Sequence, residues 1–598
     1  MTALALAERA PALAPMPTMA SHFLDALAGP PPQPGRPGID RIIRASLGKL
    51  TGAVSPASLA LAYLDWASHI AASPGKLTLL GEEAARNGAT LWLQALGLGG
   101  DTAPALQDSR FRGEAWQSPP FSLFAQTFLL GEAWWRDATS GVAGVSTHHE
   151  QVVSFVARQI LDMMAPSNFV TTNPELLEAT LRSAGKNLAD GLGNLVIDSS
   201  RALSGQPPVG TEAFRPGDSV AVTPGSVIYR NRLIELIQYS PTTATVQAEP
   251  VLIVPAWIMK YYILDLSPQN SLIKYLVDQG HTVFAISWHN PDAEDRALGL
   301  DEYIRLGVLD ALDVIETVLP GRAVHALGYC LGGTLLAITA ALLAQQQPDR
   351  LATVTLLAAQ TDFTEAGELT LFLDESQLTY LEDVMWDQGY LDARQMSGAF
   401  QLLRSADLIW SRMLREYLMG RREPMTDLMA WNADATRMPA RMHSEYLRRL
   451  FLENELFEGR FTALGRPVAL EDIKAPIFAV GTESDHVAPW HSVYKIHLLA
   501  GEAITFVLTS GGHNAGIVSE PGHPHRHFRS ATRQAGDRYV DPETWFMRQQ
   551  PKDGSWWPDW VSWLAAHSSG IGAPPPMGNA AAGYPPLESA PGRYVHEQ

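Results

Sequence analysis

Val324-His325-Ala326-Leu327-Gly328-Tyr329-Cys330-Leu331-Gly332-Gly333-Thr334-Leu335-Leu336 reads as an apolar strand, a glycine-flanked turn and the start of a helix. Cys330 stands at the centre of a G-x-nucleophile-x-G pattern, between Gly328 and Gly332. Such a turn is strained, and flanking residues without a Cβ let strand and helix close on each other while the central side chain stays presented. The helix N-terminus favours negative charge at the thiol position and leaves the Leu331 amide free to stabilise an oxyanion. The plain alternative is a buried structural cysteine in a glycine-rich turn.

Working outward, Val251 to Pro255, Thr282 to Ser287, Ala352 to Ala358, Pro476 to Val480 and Ile504 to Leu508 are further candidates for buried strands. Helical patterns separate those up to Ala358, which predicts a mostly parallel, doubly wound sheet covered on both faces. With a nucleophile turn in its middle, this is the α/β-hydrolase fold class. Ahead of it, SVIYR and LIELIQYS form an antiparallel pair about Asn231-Arg232. From Asp40 to about Asp198 apolar residues recur at helical spacing, as in Val153, Phe155, Val156, Ile160 and Met163. Between Gln360 and Lys474 the chain turns helix-rich and aromatic, with Phe372, Tyr380, Trp386, Trp410, Tyr417, Trp431 and Tyr446, the composition of an inserted cap. Each of these aromatics is read first as core. The expected organisation is a flexible N-terminus (1–39, including the proline-rich run Pro30–Gly38), an α-helical N-terminal domain (40–205), a catalytic domain (206–570) with a helical cap at about 361–474, and a C-terminal tail (571–598). The Gly, Pro and Ala content of that tail predicts poor order in its middle.

A thiol near neutral pH is only a few per cent thiolate, so a base is needed later in the chain. In this fold the order is nucleophile, acid, histidine, on loops that follow strands. Asp485, within GTESDHVAPW, and His513, within TSGGHNAG, stand where that order requires them. Singly, Asp485 reads equally well as a turn residue and His513 as a loop histidine; order and location join them to Cys330. His486 is set outside the trio as a neighbour that packs or hydrogen-bonds nearby. The loop Pro255-Ala256-Trp257-Ile258-Met259 occupies the position that supplies a second oxyanion amide, here that of Trp257.

Composition narrows the function further. A net charge of -19 argues against a sequence-independent grip on nucleic acid, which depends on basic residues. With one cysteine, no intramolecular disulfide can form, and a reduced compartment is expected. Glu8 and Arg9 interrupt the apolar start, so no signal peptide is read, and the apolar run Leu335 to Ala344 is shorter than the roughly 20 residues a membrane span needs. His523, His525 and His527, like His148 and His149, lack matching carboxylates or thiols and read as solvated loop residues. Gly97-Leu98-Gly99-Gly100 lacks the strand-first context of a dinucleotide site. No metal and no redox cofactor are expected.

GYCLGG resembles the G-x-C-x-G-G box of polyhydroxyalkanoate synthases, in which cysteine replaces the serine of lipases. VLIVPAWIMKYYILDLSPQNSL, GHTVFAISWHNPD, APSNFVTTNPE, LMAWNADATRMP and APGRYV also look like segments of that family, in the same order. The resemblance spans the chain from about Asp40 and, with DRIIRASLGKLTGAVSP, points to a single-subunit, class I-like member. It implies polymerisation of (R)-3-hydroxyacyl-CoA, first of all 3-hydroxybutyryl-CoA, with release of CoA. Cys330 would be the acyl acceptor, His513 its base, and Asp485 the residue that orients the histidine or helps activate the substrate hydroxyl. It further implies Trp431 in the cap near the entrance or a dimer contact, a cytoplasmic homodimer, and association with polyester granules. Met259, Ala256 and Ala406 depart from the family pattern. The rival readings are a cysteine-dependent acyl-CoA thioesterase or hydrolase, and a granule-surface binding protein without catalysis.

Overall fold

A computed structural model describes residues 38–51, 54–98, 108–393, 395 and 409–598. The expected flexible start up to Pro37, Gly99-Gly100 and Ala406 lie outside the described residues. Seven helices make up most of the N-terminal part: α1 (Gly38–Leu50), α2 (Pro56–Ala71), α3 (Pro74–Ala95), α4 (Phe121–Thr139), α5 (Thr147–Met164), α6 (Pro174–Arg182) and α7 (Lys186–Leu203). Local chemistry starts them: Ser55, Ser146 and Asn173 each cap a first turn with a side-chain oxygen, and prolines stand at the first positions of α2, α3 and α6.

The catalytic sheet begins with the hairpin β1 (Gly225–Arg230) and β2 (Ile234–Tyr239). It continues with β3 (Val251–Val254), β4 (Val283–Trp288), β5 (Val324–Tyr329), β6 (Leu351–Leu357), β7 (Ile477–Thr482) and β8 (Ile504–Thr509). The short strands β9 (His527–Arg533), β10 (Lys552–Asp553) and β11 (Glu588–Ser589) complete it. The sheet has 11 strands in the order β10-β9-β8-β7-β6-β5-β3-β4-β2-β1-β11. Strands β3 to β8 pair in parallel, and the remaining pairings are antiparallel. Every residue of β3, β4, β5 and β7 is buried, which is why they read as unbroken apolar runs with no alternation. Helices α8 (Leu272–Asp278) and α9 (Asp310–Val318) cross between them, and α10 (Leu331–Ala344) follows β5 into the core. Apolar on all sides, α10 is buried along nearly its whole length, as a helix at the centre of a large core must be.

The insertion between β6 and β7 sends Met385, Leu391, Trp431, Met438, Met442, Tyr446, Leu450 and Phe451 into the main core. Its helix α11 (Glu375–Gln388) also receives the N-terminal helices. Arg44 donates to Asp383 at 3.1 Å, the Ser55 amide to Gln377 at 2.7 Å, and the Ser58 hydroxyl to Asp374. The N-terminal helices have only small cores of their own, around Ile70, Leu80, Ala138 and Val142 and around Phe111, Trp116 and Ala125. Their outer faces leave Trp92, Leu96, Leu192, Val196 and Leu203 exposed.

Two expectations need correction. The segment expected to be a poorly ordered tail is joined to the sheet: β11 pairs with β1, and the buried Glu235 carboxylate of β2 accepts the amides of Arg593 at 2.9 Å and Tyr594 at 3.0 Å. Low hydrophobicity misleads there, because that segment is held by main-chain and charge-assisted bonds more than by apolar burial. The histidine-rich stretch is not all loop either, since His527 opens β9 and bonds Glu483 at 3.2 Å, while His523 bonds Glu520 at 2.8 Å.

Candidate active site

Cys330 is the single residue between β5 and α10, with φ +53°, a left-handed backbone that costs about 1–3 kcal/mol for a residue with a Cβ. Bonds on both sides hold it there: its amide donates to Leu357 O at 2.8 Å, and its carbonyl accepts from the Gly333 amide at 2.9 Å. The flanking glycines are required by space. A Cβ on Gly328 would sit 2.4 Å from the Gly333 Cα, and one on Gly332 2.2 Å from the Val254 carbonyl. Because both obstructions are backbone, Gly332→Ala is expected to destabilise the protein by about 1–3 kcal/mol or more, read as a lowered thermal midpoint. An unchanged midpoint would mean that strand and helix can separate cheaply.

Asp485 and His513 stand on the loops after β7 and β8. His513 Nδ1 lies 2.8 Å from Asp485 Oδ2, and Cys330 is among the groups that act electrostatically on the ring. Asp485 further accepts from Thr482 Oγ1 at 3.0 Å and from the amides of Val487 at 2.9 Å and Ala488 at 2.8 Å. Burial pushes the Asp485 carboxyl up, but the charge and hydrogen bond of His513 and the two amides outweigh it and hold the group below the usual carboxylate range. Burial pulls His513 down, yet the charges of Asp485 and Cys330 and its bond to Asp485 keep the imidazole well above its usual value. The electrostatics therefore favour a charged imidazolium beside the Asp485 carboxylate. Cys330 is only 9% exposed.

The loop after β3 runs beside this turn, since Val254 pairs with Gly328 and the Pro255 carbonyl closes on Gly332. The Trp257 amide makes no hydrogen bond among the described residues. Leu331, as the first residue of α10, carries one of the first-turn amides that a helix cannot satisfy internally.

Other sequence-predicted residues lie apart from this group. His486 is exposed at the rim of a cleft of about 710 Å³ that Arg110 and Trp410 also line. Trp431 is buried in the core at 1% exposure, with its indole N–H on the Lys260 carbonyl at 2.7 Å. Its segment packs on the loop after β3, which a count of surface aromatics cannot anticipate. Three neighbours were given no site role from sequence. Tyr446 packs on Trp257 and is raised by burial and then by the charge on Cys330; Tyr329 donates to Asn514 at 2.5 Å; Thr482 supports Asp485. Tyr329 lies within the GYCLGG turn and Thr482 and Asn514 within the segments that carry Asp485 and His513, but nothing in those segments alone marks these side chains as partners. A separate cleft of about 1330 Å³, bordered by Phe155, Arg158, Phe363 and Phe451, lies between the N-terminal helices and the insertion and does not reach Cys330.

Among the described residues no group of three or more His, Cys, Asp or Glu side chains is arranged to hold a metal ion, and no helix is long and apolar enough to cross a membrane.

A parallel sheet with a nucleophile turn after β5 and acid and histidine loops after β7 and β8 defines an α/β-hydrolase-fold protein. The model described as "alpha/beta hydrolase fold" matches residues 249–520. Ahead of it, "Poly-beta-hydroxybutyrate polymerase N terminal" matches residues 34–76 and "Poly-beta-hydroxybutyrate polymerase (PhaC) N-terminus" residues 107–276. The chain is similar to the poly(3-hydroxyalkanoate) polymerase of Methylorubrum extorquens, 41% identical with 85% of this chain and 84% of the relative covered. The poly(3-hydroxyalkanoate) polymerase subunit PhaC of Rhizobium meliloti (strain 1021) is 40% identical, with 82% and 79% covered. That of Cupriavidus necator is 35% identical, with 89% and 90% covered. The chain belongs to the poly(3-hydroxyalkanoate) polymerase family.

Proposed function

We propose that this protein polymerises (R)-3-hydroxyacyl-CoA, with 3-hydroxybutyryl-CoA as the first substrate to test, through a thioester on Cys330. The observation that carries this reading is the Asp485–His513 hydrogen bond, with the imidazole acted on by Cys330 at the turn after β5, in a chain of this family. The Cys330 thiolate attacks the substrate thioester carbonyl, and the oxyanion is met by the amides of Leu331 and Trp257. The bond to the CoA sulfur then breaks, and the imidazolium of His513 protonates the departing thiolate. Exchanging one thioester for another conserves the energy of the bond. In the next step His513 takes the proton of an incoming 3-hydroxyl, whose oxygen attacks the acyl-cysteine; an ester forms and the cysteine thiolate is released. Asp485 holds the Nδ1–H tautomer and stabilises the imidazolium.

Polymerisation requires that water be kept from the acyl-enzyme. The low exposure of Cys330 and the insertion packed over it through Tyr446 support this. No cofactor is assigned beyond the CoA thioester itself. The exposed apolar residues on α3 and α7 support a place at the surface of a polyester granule in the cytoplasm. A homodimer is part of the same proposal, and sedimentation with and without substrate tests it.

The deciding experiment is incubation with 3-hydroxyacyl-CoA of graded chain length, followed by separation of products. Polymer with stoichiometric CoA is expected. Free 3-hydroxy acid without polymer would make the protein a thioesterase, and no CoA release would make it a binding protein.

A further inference from the structure

The loop that carries the Trp257 amide is held almost residue by residue from one side. Thr436 Oγ1 donates to the Trp257 carbonyl at 2.9 Å, and the Thr436 amide donates to the Ile258 carbonyl at 3.2 Å. Ala435 and Met259 form an isolated β-bridge, and the Trp431 indole reaches the Lys260 carbonyl. Just before these contacts, Trp288 Nε1 fixes the Pro255 carbonyl at 2.9 Å. These main-chain partners of Trp257 to Lys260 come from one short stretch of the insertion, Trp431 to Thr436, which includes the start of the bend after α12 (Asp427–Ala433), while the Lys260 ammonium turns to the carbonyls of Tyr594 and Glu597. Thr436 is 1% exposed, so its hydroxyl has no water to turn to, and the Trp257 carbonyl is its recorded acceptor.

Geometry gives this latch a chemical consequence. Fixing the Trp257 and Ile258 carbonyls toward the insertion fixes the peptide planes on the C-terminal side of Trp257. The Trp257 amide, on the other side of the same Cα, then keeps only the freedom of its own φ, narrowed from the N-terminal side by the bond from Trp288 to the Pro255 carbonyl, and has no acceptor among the described residues. An oxyanion donor works because it is already oriented when charge develops. We propose that Thr436 is a positioning residue for acyl transfer, holding the Trp257 amide in place, so that displacement of the Trp431–Thr436 segment would disarm the site without touching Cys330, His513 or Asp485. This rests on the functional reading above.

Because the chain has a single cysteine, two reactions at the same sulfur can be compared cleanly. Alkylation by iodoacetamide forms a carbon–sulfur bond and expels iodide with no oxyanion, whereas acyl transfer from 3-hydroxybutyryl-CoA passes through one. Thr436→Val is expected to lower kcat for CoA release by about 10- to 100-fold, as misplacement or partial loss of one oxyanion donor does. The alkylation rate of Cys330 should stay within about twofold of wild type, and Thr436→Ser should restore turnover. Should Thr436→Val fail to fold, Thr436→Ala removes the same hydroxyl without a branched side chain and carries the same expectation. Wild-type turnover in either hydroxyl-free variant, an equal fall in alkylation and turnover, or no restoration by serine would overturn the proposal. If alkylated wild-type protein still released CoA, the functional reading would fall and take this proposal with it. Loss of release on alkylation combined with full activity of Thr436→Val would remove the positioning role alone.

Discussion

Cys330→Ala is expected to extinguish CoA release from 3-hydroxybutyryl-CoA, by on the order of 10⁴-fold or more, while leaving the protein folded. The size follows from the role: without the sulfur there is no acyl acceptor, and His513 has no nucleophile to serve. The folded state should survive because alanine carries the same Cβ that cysteine already places at φ +53°, so the backbone cost of the turn is unchanged. The amide bond to Leu357 and the carbonyl bond to Gly333 do not involve the side chain. Free thiol released on mixing, together with the mass of the protein after brief exposure to substrate, gives the readout. Wild-type protein should gain one acyl unit and the variant none; unchanged CoA release by the variant would reject Cys330 as the nucleophile.

The turn around Cys330 was legible because two local signals coincide: a largely apolar strand and glycines where the strand and helix backbones close on each other. Asp485 and His513 were legible from chain order, since each follows a strand apolar enough to be recognised alone. What escaped depends on partners far along the chain. Glu235 reads as the polar member of a half-exposed strand, but it is buried and answered by amides 358 residues away, in a stretch that looks too rich in glycine and proline to order itself. Strand β9 was hidden by the same effect, because its residues are mostly half-buried with no alternation to read and its place is fixed by pairing with β8. Trp431 was read first as core, and it is buried; what the sequence could not give is its partner, the Lys260 carbonyl, which stands 171 residues away. Thr436 carried no signal of its own.

Asp485→Asn and His513→Gln are expected to leave the fold intact and to lower turnover by on the order of 10³- to 10⁴-fold. For the asparagine variant the reason lies in the direction of one hydrogen bond. Asn can still accept the Val487 and Ala488 amides, so the loop stays placed, but its NH₂ group then faces His513 Nδ1. Nδ1 must become an acceptor, the ring proton moves to Nε2, and that nitrogen can no longer take a proton from Cys330. Stability should show the same pair with a definite sign. His513 is raised in the folded protein, so its contribution is complete below its unfolded value, near pH 6.5, and is lost as pH rises through its folded value. Asp485 is lowered, so its contribution is complete above its unfolded value, near pH 4, and is lost as pH falls through its folded value. The thermal midpoints of wild type and Asp485→Asn should therefore differ most between about pH 4 and 6.5 and draw together on either side, as pH falls through the folded value of Asp485 or rises through that of His513. A difference independent of pH would mean that Asp485 serves only as a loop anchor through its amide bonds, and near wild-type turnover in either variant would remove the role assigned to that residue.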